Sequence, residues 1–229
     1  MKEKNEAPKC IGMIMDGNRR WAKEHSLSSV EGHKFGYEKL KEVAEWVKEV
    51  GIRNLIVYAF STENWNRSKE EVSCLVDLLK KVLSEQIDEF NEKKTKLIFA
   101  GDISRFSRDI QELIRSAEEK TKDNEENTLV ICLSYGGRAE IMSAVNNLLK
   151  EGKSSINEEE FSRALWTKNI PDPDLIIRTG GEERLSGFLP WQSVYSELFF
   201  SKTYWPAFSK EEFLEVLKEF SSRERRRGK

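Results

Sequence analysis

Residues 10–22 read C-I-G-M-I-M-D-G-N-R-R-W-A, and the fold follows from the way this stretch changes character halfway along. The first six residues are apolar without alternation, the pattern of a strand buried on both faces. The run stops at Asp16-Gly17-Asn18, a turn signal followed at once by Arg19, Arg20 and Trp21. The same switch recurs downstream. An apolar run at 54–60 leads into Ser61-Thr62-Glu63-Asn64-Trp65 and then Arg67, one at 96–100 into Gly101-Asp102, and one at 128–134 into Tyr135-Gly136-Gly137-Arg138. A shorter run at 175–177 leads into Arg178-Thr179-Gly180-Gly181-Glu182, with Arg184, Leu185 and Ser186 close behind, and 197–200 fits a last short strand.

Amphipathic stretches separate these strands. Residues 33–50 place Leu40, Val43, Ala44, Val47 and Val50 on one helical face, ended by Gly51. Ser68 reads as an N-cap with Glu71 at the capping-box position. It opens one long helix to about residue 91, with Val72, Leu75, Val76, Leu79, Val82, Leu83, Ile87 and Phe90 at helical spacing and Leu78 widening the stripe. Further helices are expected around Ile110 to Ala117 and over 138–149, 158–165 and 210–220. Strands alternating with helices indicate an α/β fold, a single domain over 1–229 with a mostly parallel central sheet flanked by helices. Residues 1–9 and 224–229 are expected to be flexible ends.

Composition narrows the function classes. The 229 residues carry 38 Lys+Arg against 40 Asp+Glu, a net charge of −2 that argues against a nucleic-acid binder. No apolar run approaches the roughly 20 residues of a membrane span, and the first ten residues lack the apolar core of a secretory signal. Cys10, Cys74 and Cys132 lie far apart with no C-x-x-C, so a disulfide scaffold is not expected and a cytoplasmic location is. With His25 and His33 the two histidines, a multi-histidine metal site is excluded.

In a parallel sheet the carboxyl ends of the strands share one edge, where α/β proteins bind ligands. Five loops rich in Gly, Arg, Asn, Ser and acids should therefore meet in one cleft. Gly17 would let backbone N–H groups approach an anion. Arg20, Arg67, Arg178 and Arg184 can make bidentate contacts to phosphate oxygens. Asp16 and Glu197 are hard oxygen ligands suited to Mg²⁺ bridged to phosphate. The usual nucleotide-binding loops are absent. The cleft reads as a site for one or two diphosphates plus magnesium.

D-G-N-R-R-W-A (16–22), G-H-K-x-G (32–36), F-S-T-E-N-W-x-R (60–67), Y-G-G-R (135–138), I-R-T-G-G-E (177–182), R-L-S-G-F-L-P-W-Q (184–192) and Y-S-E-L-F-F (195–200) together resemble the cis-prenyltransferases, the undecaprenyl diphosphate synthase family. Arg19, where a glycine is common in bacterial members, gives the resemblance an archaeal flavour. The resemblance implies successive addition of isopentenyl diphosphate to an allylic diphosphate, farnesyl or geranylgeranyl, making a polyprenyl diphosphate for a glycosyl carrier lipid. It implies Mg²⁺, a homodimer, long helices walling a hydrophobic tunnel, and a transient membrane contact at product release.

The residue roles carry over by position. Asp16 matches the metal and diphosphate aspartate, Glu197 a second metal ligand, and Asn64 a proposed proton acceptor. Gly17, Asn18, Arg19, Arg20, Trp21 and His33 match the allylic-substrate site. Ser61, Thr62, Glu63, Trp65 and Arg67 match the neighbouring substrate loop. Arg178, Arg184, Leu185 and Ser186 match the isopentenyl diphosphate site, and Arg226 belongs to a tail motif that reaches the partner subunit. Ser29, Glu183, Gly187 and Pro190 depart from the family pattern. Two other readings stand beside this one: a Mg²⁺-dependent phosphohydrolase with Asp16 as nucleophile, and a non-catalytic partner subunit of a heteromeric prenyltransferase. Asn18 stands where such hydrolases carry a second aspartate, and retention of the polar set argues against a silent subunit.

Overall fold

Strand β1 (Cys10–Ile14), buried along its whole length, lies within a six-stranded sheet of order β3-β4-β2-β1-β5-β6, parallel at every pairing. The other strands are β2 (Asn54–Ser61), β3 (Thr95–Ala100), β4 (Asn127–Tyr135), β5 (Leu175–Arg178) and β6 (Glu197–Phe200). The helices are α1 (Asn18–Glu24), α2 (Ser29–Glu49), α3 (Lys69–Glu85), α4 (Ile87–Glu92), α5 (Arg108–Thr121), α6 (Gly137–Lys150), α7 (Glu158–Ala164) and α8 (Lys210–Ser222). The computed structural model describes residues 7–224, so Arg226 and most of both expected flexible ends lie outside the described residues. Lys9, assigned by sequence to the flexible start, is tied by its backbone N–H to Asp174 at 2.8 Å.

Side-chain alternation along the strands builds two layers. Ile11, Met13, Leu55, Val57, Leu97, Leu129 and Ile177 face α2, α3, α4, α5 and α8. Cys10, Ile14, Ile56, Val130, Cys132 and Ile176 face the other way, onto Phe188 and Leu189. A register shift between Tyr58 and Phe60 breaks the alternation in β2. It leaves Tyr58 against the second layer and turns Phe60 into the first, the re-aiming that bulges near sites provide.

Two expectations change. The segment after Asp16 is a helix, α1, rather than a loop. The long helix of 68–91 is two, broken at Gln86, which ends α3 and begins α4. No Gly or Pro marks that break; the side chain of Gln86 is instead bonded by the Tyr37 hydroxyl on α2. Ser68 does cap α3, accepting from Glu71 N–H at 3.3 Å, but the Glu71 carboxylate turns away to Arg67 and Arg19.

Candidate functional site

Asp16 is held first through its backbone. Its carbonyl accepts from the Thr179 hydroxyl at 2.8 Å and from Trp205 N–H at 3.0 Å, so segments after β1, β5 and β6 close on one point. Its carboxylate then takes Arg178 Nη2 at 2.8 Å and Arg20 at 3.2 Å. Arg178, only 4% exposed, also donates to Ser186 Oγ at 2.8 Å and to the Arg184 carbonyl. Arg20 spreads over the Tyr204 ring and approaches Glu182 at 3.9 Å. Gly17 sits at φ 109°, and a Cβ there would lie 2.7 Å from Tyr204, so both backbone and space demand glycine.

A second charge cluster stands opposite, centred on Glu71. Arg67 Nη1 donates to it at 2.8 Å, Arg19 Nη1 at 3.4 Å, and His33 Nε2 approaches at 4.0 Å. Burial, reinforced by the charges of Arg67 and Arg19 and opposed by Glu71, pushes the His33 pKa down to about 4. The ring is therefore neutral at pH 7 and its approach to Glu71 is not an ion pair. The G-H-K-x-G glycines explain how His33 arrives there. A Cβ on Gly32 would lie 2.4 Å from the Asn18 carbonyl, and one on Gly36 2.1 Å from Asn18 Oδ1, so only bare backbone lets α2 lie against α1.

Between the clusters opens a cavity of about 560 Å³, within the range of small-molecule sites. Its mouth is lined by Asp16, Arg19, Arg20, Arg67 and Arg178, and its depth by Leu40, Leu75, Leu79, Val82, Ile131 and Leu133. On α3, Leu75, Val76 and Leu79 are only half-buried although they pack on the core, because the cavity runs along them. Three buried polar atoms of mouth residues have no protein partner: Asn18 Oδ1, His33 Nε2 and Arg178 Nε. Asn18 Oδ1 is packed on Gly36, but buried polar atoms are normally satisfied, so His33 Nε2 and Arg178 Nε, on residues that line the cavity, suit a polar ligand group.

Of the sequence-derived candidates, Asp16, Gly17, Asn18, Arg19, Arg20, His33, Ser61, Asn64, Arg67, Arg178 and Ser186 line this cavity. Others do not. Trp65 turns into the core, with Nε1 on Ser134 Oγ at 2.9 Å and its ring against Phe60 and Phe106. Trp21 stacks outside on His25 and Phe35. Thr62 packs on Gly136, Glu63 is exposed, and Leu185 joins the second layer. Arg184 pairs with Glu182 and serves the site through its carbonyl. The loops after β3 and β4 stay outside too: Gly101 abuts the Leu133 carbonyl, and Tyr135 is buried on Glu140. The expected five loops reduce to those after β1, β2 and β5, joined by the segment after β6.

Glu197 is the clearest displacement. It pairs in register with Leu175, and Leu175 with Ile11, whereas Asp16 follows the opposite end of β1. Along the strands Ile11 to Ile14 alone spans about 10 Å, with Asp16 two residues further on, and the two strand steps put Glu197 about another 10 Å across them. Glu197 instead bonds Arg223 at 2.8 Å, so within one chain it cannot share an ion with Asp16. Asp16 by itself still fits Mg²⁺, which binds through one or two carboxylates plus substrate phosphates. Sequence reasoning missed Glu71, although its i,i+4 spacing from Arg67 was visible, and Trp205, whose approach to Gly36 O at 2.7 Å no local pattern shows.

An arginine-rich mouth over an apolar interior defines a binder of amphiphiles with an anionic head. The chain belongs to the family described as "Putative undecaprenyl diphosphate synthase", whose model matches residues 14–228. It is 44% identical to an isoprenyl transferase of Fusobacterium nucleatum, over 99% of this chain and 97% of that one. It is also 44% identical to a tritrans,polycis-undecaprenyl-diphosphate synthase (geranylgeranyl-diphosphate specific) of Pyrococcus horikoshii, over 97% and 87%. A bacterial and an archaeal relative thus stand at the same identity. Among solved structures it resembles lavandulyl diphosphate synthase from Lavandula x intermedia in complex with dimethylallyl diphosphate, with TM-score 0.91, 31% identity and coverage of 97% and 99%. A probable undecaprenyl diphosphate synthase from Campylobacter jejuni matches with TM-score 0.83, 36% identity and coverage of 98% and 100%. The protein is a cis-prenyltransferase, and neither the phosphohydrolase nor the silent-subunit reading is favoured.

Proposed function

We propose that the protein condenses several isopentenyl diphosphates onto a farnesyl or geranylgeranyl diphosphate, making a polyprenyl diphosphate for a glycosyl carrier lipid. The carrying observation is the cavity itself, four arginines and one aspartate at the mouth of an apolar interior. The arginines hold diphosphate oxygens, and the interior receives the growing chain and keeps water from the allylic cation. In each cycle the allylic C–O bond breaks with its electron pair leaving on diphosphate. A C–C bond forms to the terminal carbon of isopentenyl diphosphate, and a proton departs. Asp16 would hold Mg²⁺, which when bound neutralises charge on the departing diphosphate. Asn64 Oδ1 already accepts from Ser61 N–H at 3.0 Å. An amide is a poor base and its N–H₂ is a donor, so Asn64 orients a diphosphate while a diphosphate oxygen takes the proton.

The protein acts as a homodimer in the cytoplasm. Val194, Tyr195 and Phe200 are exposed around β6, the open edge of the sheet, where a second copy would cover them. Arg226 is proposed to reach the isopentenyl diphosphate of the neighbouring subunit. No described helix is long and apolar enough to cross a membrane, and product release is proposed to involve a transient membrane contact. Incubation with isopentenyl diphosphate, an allylic diphosphate and Mg²⁺, with products sized by mass, tests the reading. Phosphate release without chain growth, or no reaction from the homogeneous chain, overturns it.

A further inference from the structure

The apolar cavity has a far end, and a polar pair stands there that the chemistry at the mouth does not use. Along α2 the cavity lining stops at Leu40, and Lys41 and Ala44 line a separate groove of about 30 Å³. Along α3 and α4 the change falls between Val82 and Glu89, and along β4 between Ile131 and Leu129. The cavity and the groove are thus stacked end to end, with the groove farther from the mouth. Between them the Tyr37 hydroxyl on α2 donates to Gln86 Oε1, one helical turn beyond Val82. Gln86 is also where α3 gives way to α4, with its N–H on the Val82 carbonyl at 3.0 Å.

Tyr37 itself lines the cavity and is braced from the groove side, where Lys41 lies over its ring at 5.3 Å and pairs with Glu38 at 2.6 Å. Burial, followed by the charges of Glu89 and Glu38, holds the Tyr37 phenol above its ordinary pKa, so it remains a donor. A hydrocarbon chain pushing past would part the pair. It would leave a hydroxyl and an amide unpaired beside apolar atoms, which costs the desolvation of both. The groove beyond offers little to such a chain, since Lys93 on its rim pairs with Glu45 and Glu89, each at 2.8 Å. We propose that the hydrogen-bonded Tyr37–Gln86 pair is the stop that sets product length: the growing chain fills the apolar cavity until its far end meets the pair, and elongation ends there. This rests on the substrate reading above.

Wild type and variants would be incubated with isopentenyl diphosphate, an allylic diphosphate and Mg²⁺, and the products sized by mass. Tyr37→Ala removes the pair and opens the cavity toward the groove, so the main product should lengthen by about one C5 unit or more. Tyr37→Phe keeps the ring and loses the bond. Its products should run from the wild-type length to longer ones, and it decides the question even if Tyr37→Ala fails to fold. In both, kcat/KM for the allylic diphosphate should stay within about threefold, because neither change touches the charged mouth. A merely structural role would instead slow turnover or lower Tm with product length unaltered. A wild-type chain that adds no isopentenyl unit overturns the substrate reading. Elongation by the wild type with unchanged product lengths in either folded variant overturns the role of the hydrogen-bonded pair.

Discussion

Acid should weaken this protein through His33, and the size of the effect follows from its burial. The imidazole side chain is 17% exposed and beside Arg67 and Arg19, which holds its pKa at about 4 in the folded chain against an ordinary 6.5. Between those values the unfolded chain binds a proton that the folded chain refuses, so stability rises with pH across the window. The contribution of neutral His33 is fully present above about pH 6.5 and is lost as pH falls toward 4. A gap of about 2.5 at about 1.36 kcal/mol each gives about 3 kcal/mol. For a chain of this size that corresponds to a fall in Tm of about 6–12 °C. Urea unfolding at intervals from pH 7 to pH 4 would compare wild type with His33→Gln, in which every other titrating group is retained. The wild-type curve should lose about 3 kcal/mol more than the variant over that range. Parallel curves would refute the reasoning, because His33 would then titrate alike folded and unfolded.

Asp16→Ala should cut turnover by at least about 10²-fold, and EDTA should mimic that loss. It also strands the buried Arg178 guanidinium, so a melt should show a cost of about 1–3 kcal/mol; full activity in the variant sinks the mechanism. Asn64→Asp should leave the pH–rate profile without a new acidic limb if Asn64 only orients substrate; a limb near the carboxylate pKa would mark a direct base. Truncation after Arg223 should raise the KM for isopentenyl diphosphate with the fold intact. Mixing that chain with Asp16→Ala should restore part of the activity, since one heterodimer cleft is complete. No recovery despite subunit exchange would place the tail's action within its own chain.

Local pattern made most of the architecture legible. Unbroken apolar runs marked strands buried on both faces, 3.6-residue spacing marked the helices between them, and parallel pairing placed Asp16, Ser61 and Arg178 at one edge. These are short-range properties, carried by residues a few positions apart, and a single chain displays them in full. Other features depend on which elements become neighbours. Asp16 meets Arg178 because β1 lies between β2 and β5, an adjacency set by the packing of the whole sheet. The same sheet order carries Glu197 away from Asp16, and the bulge at Tyr58 turns Phe60 toward the cavity. Trp21 and Trp65 look equivalent in the motifs, yet one stacks outside α1 and the other fills the core. The apolar stripe of α3 has the periodicity of an ordinary core helix. It becomes a cavity wall because α2, pinned to α1 at Gly32 and Gly36, leaves space beside it that no side chain of the described residues fills. Periodicity says that a face is apolar; only the packing of distant segments decides whether that face meets protein or an open cavity.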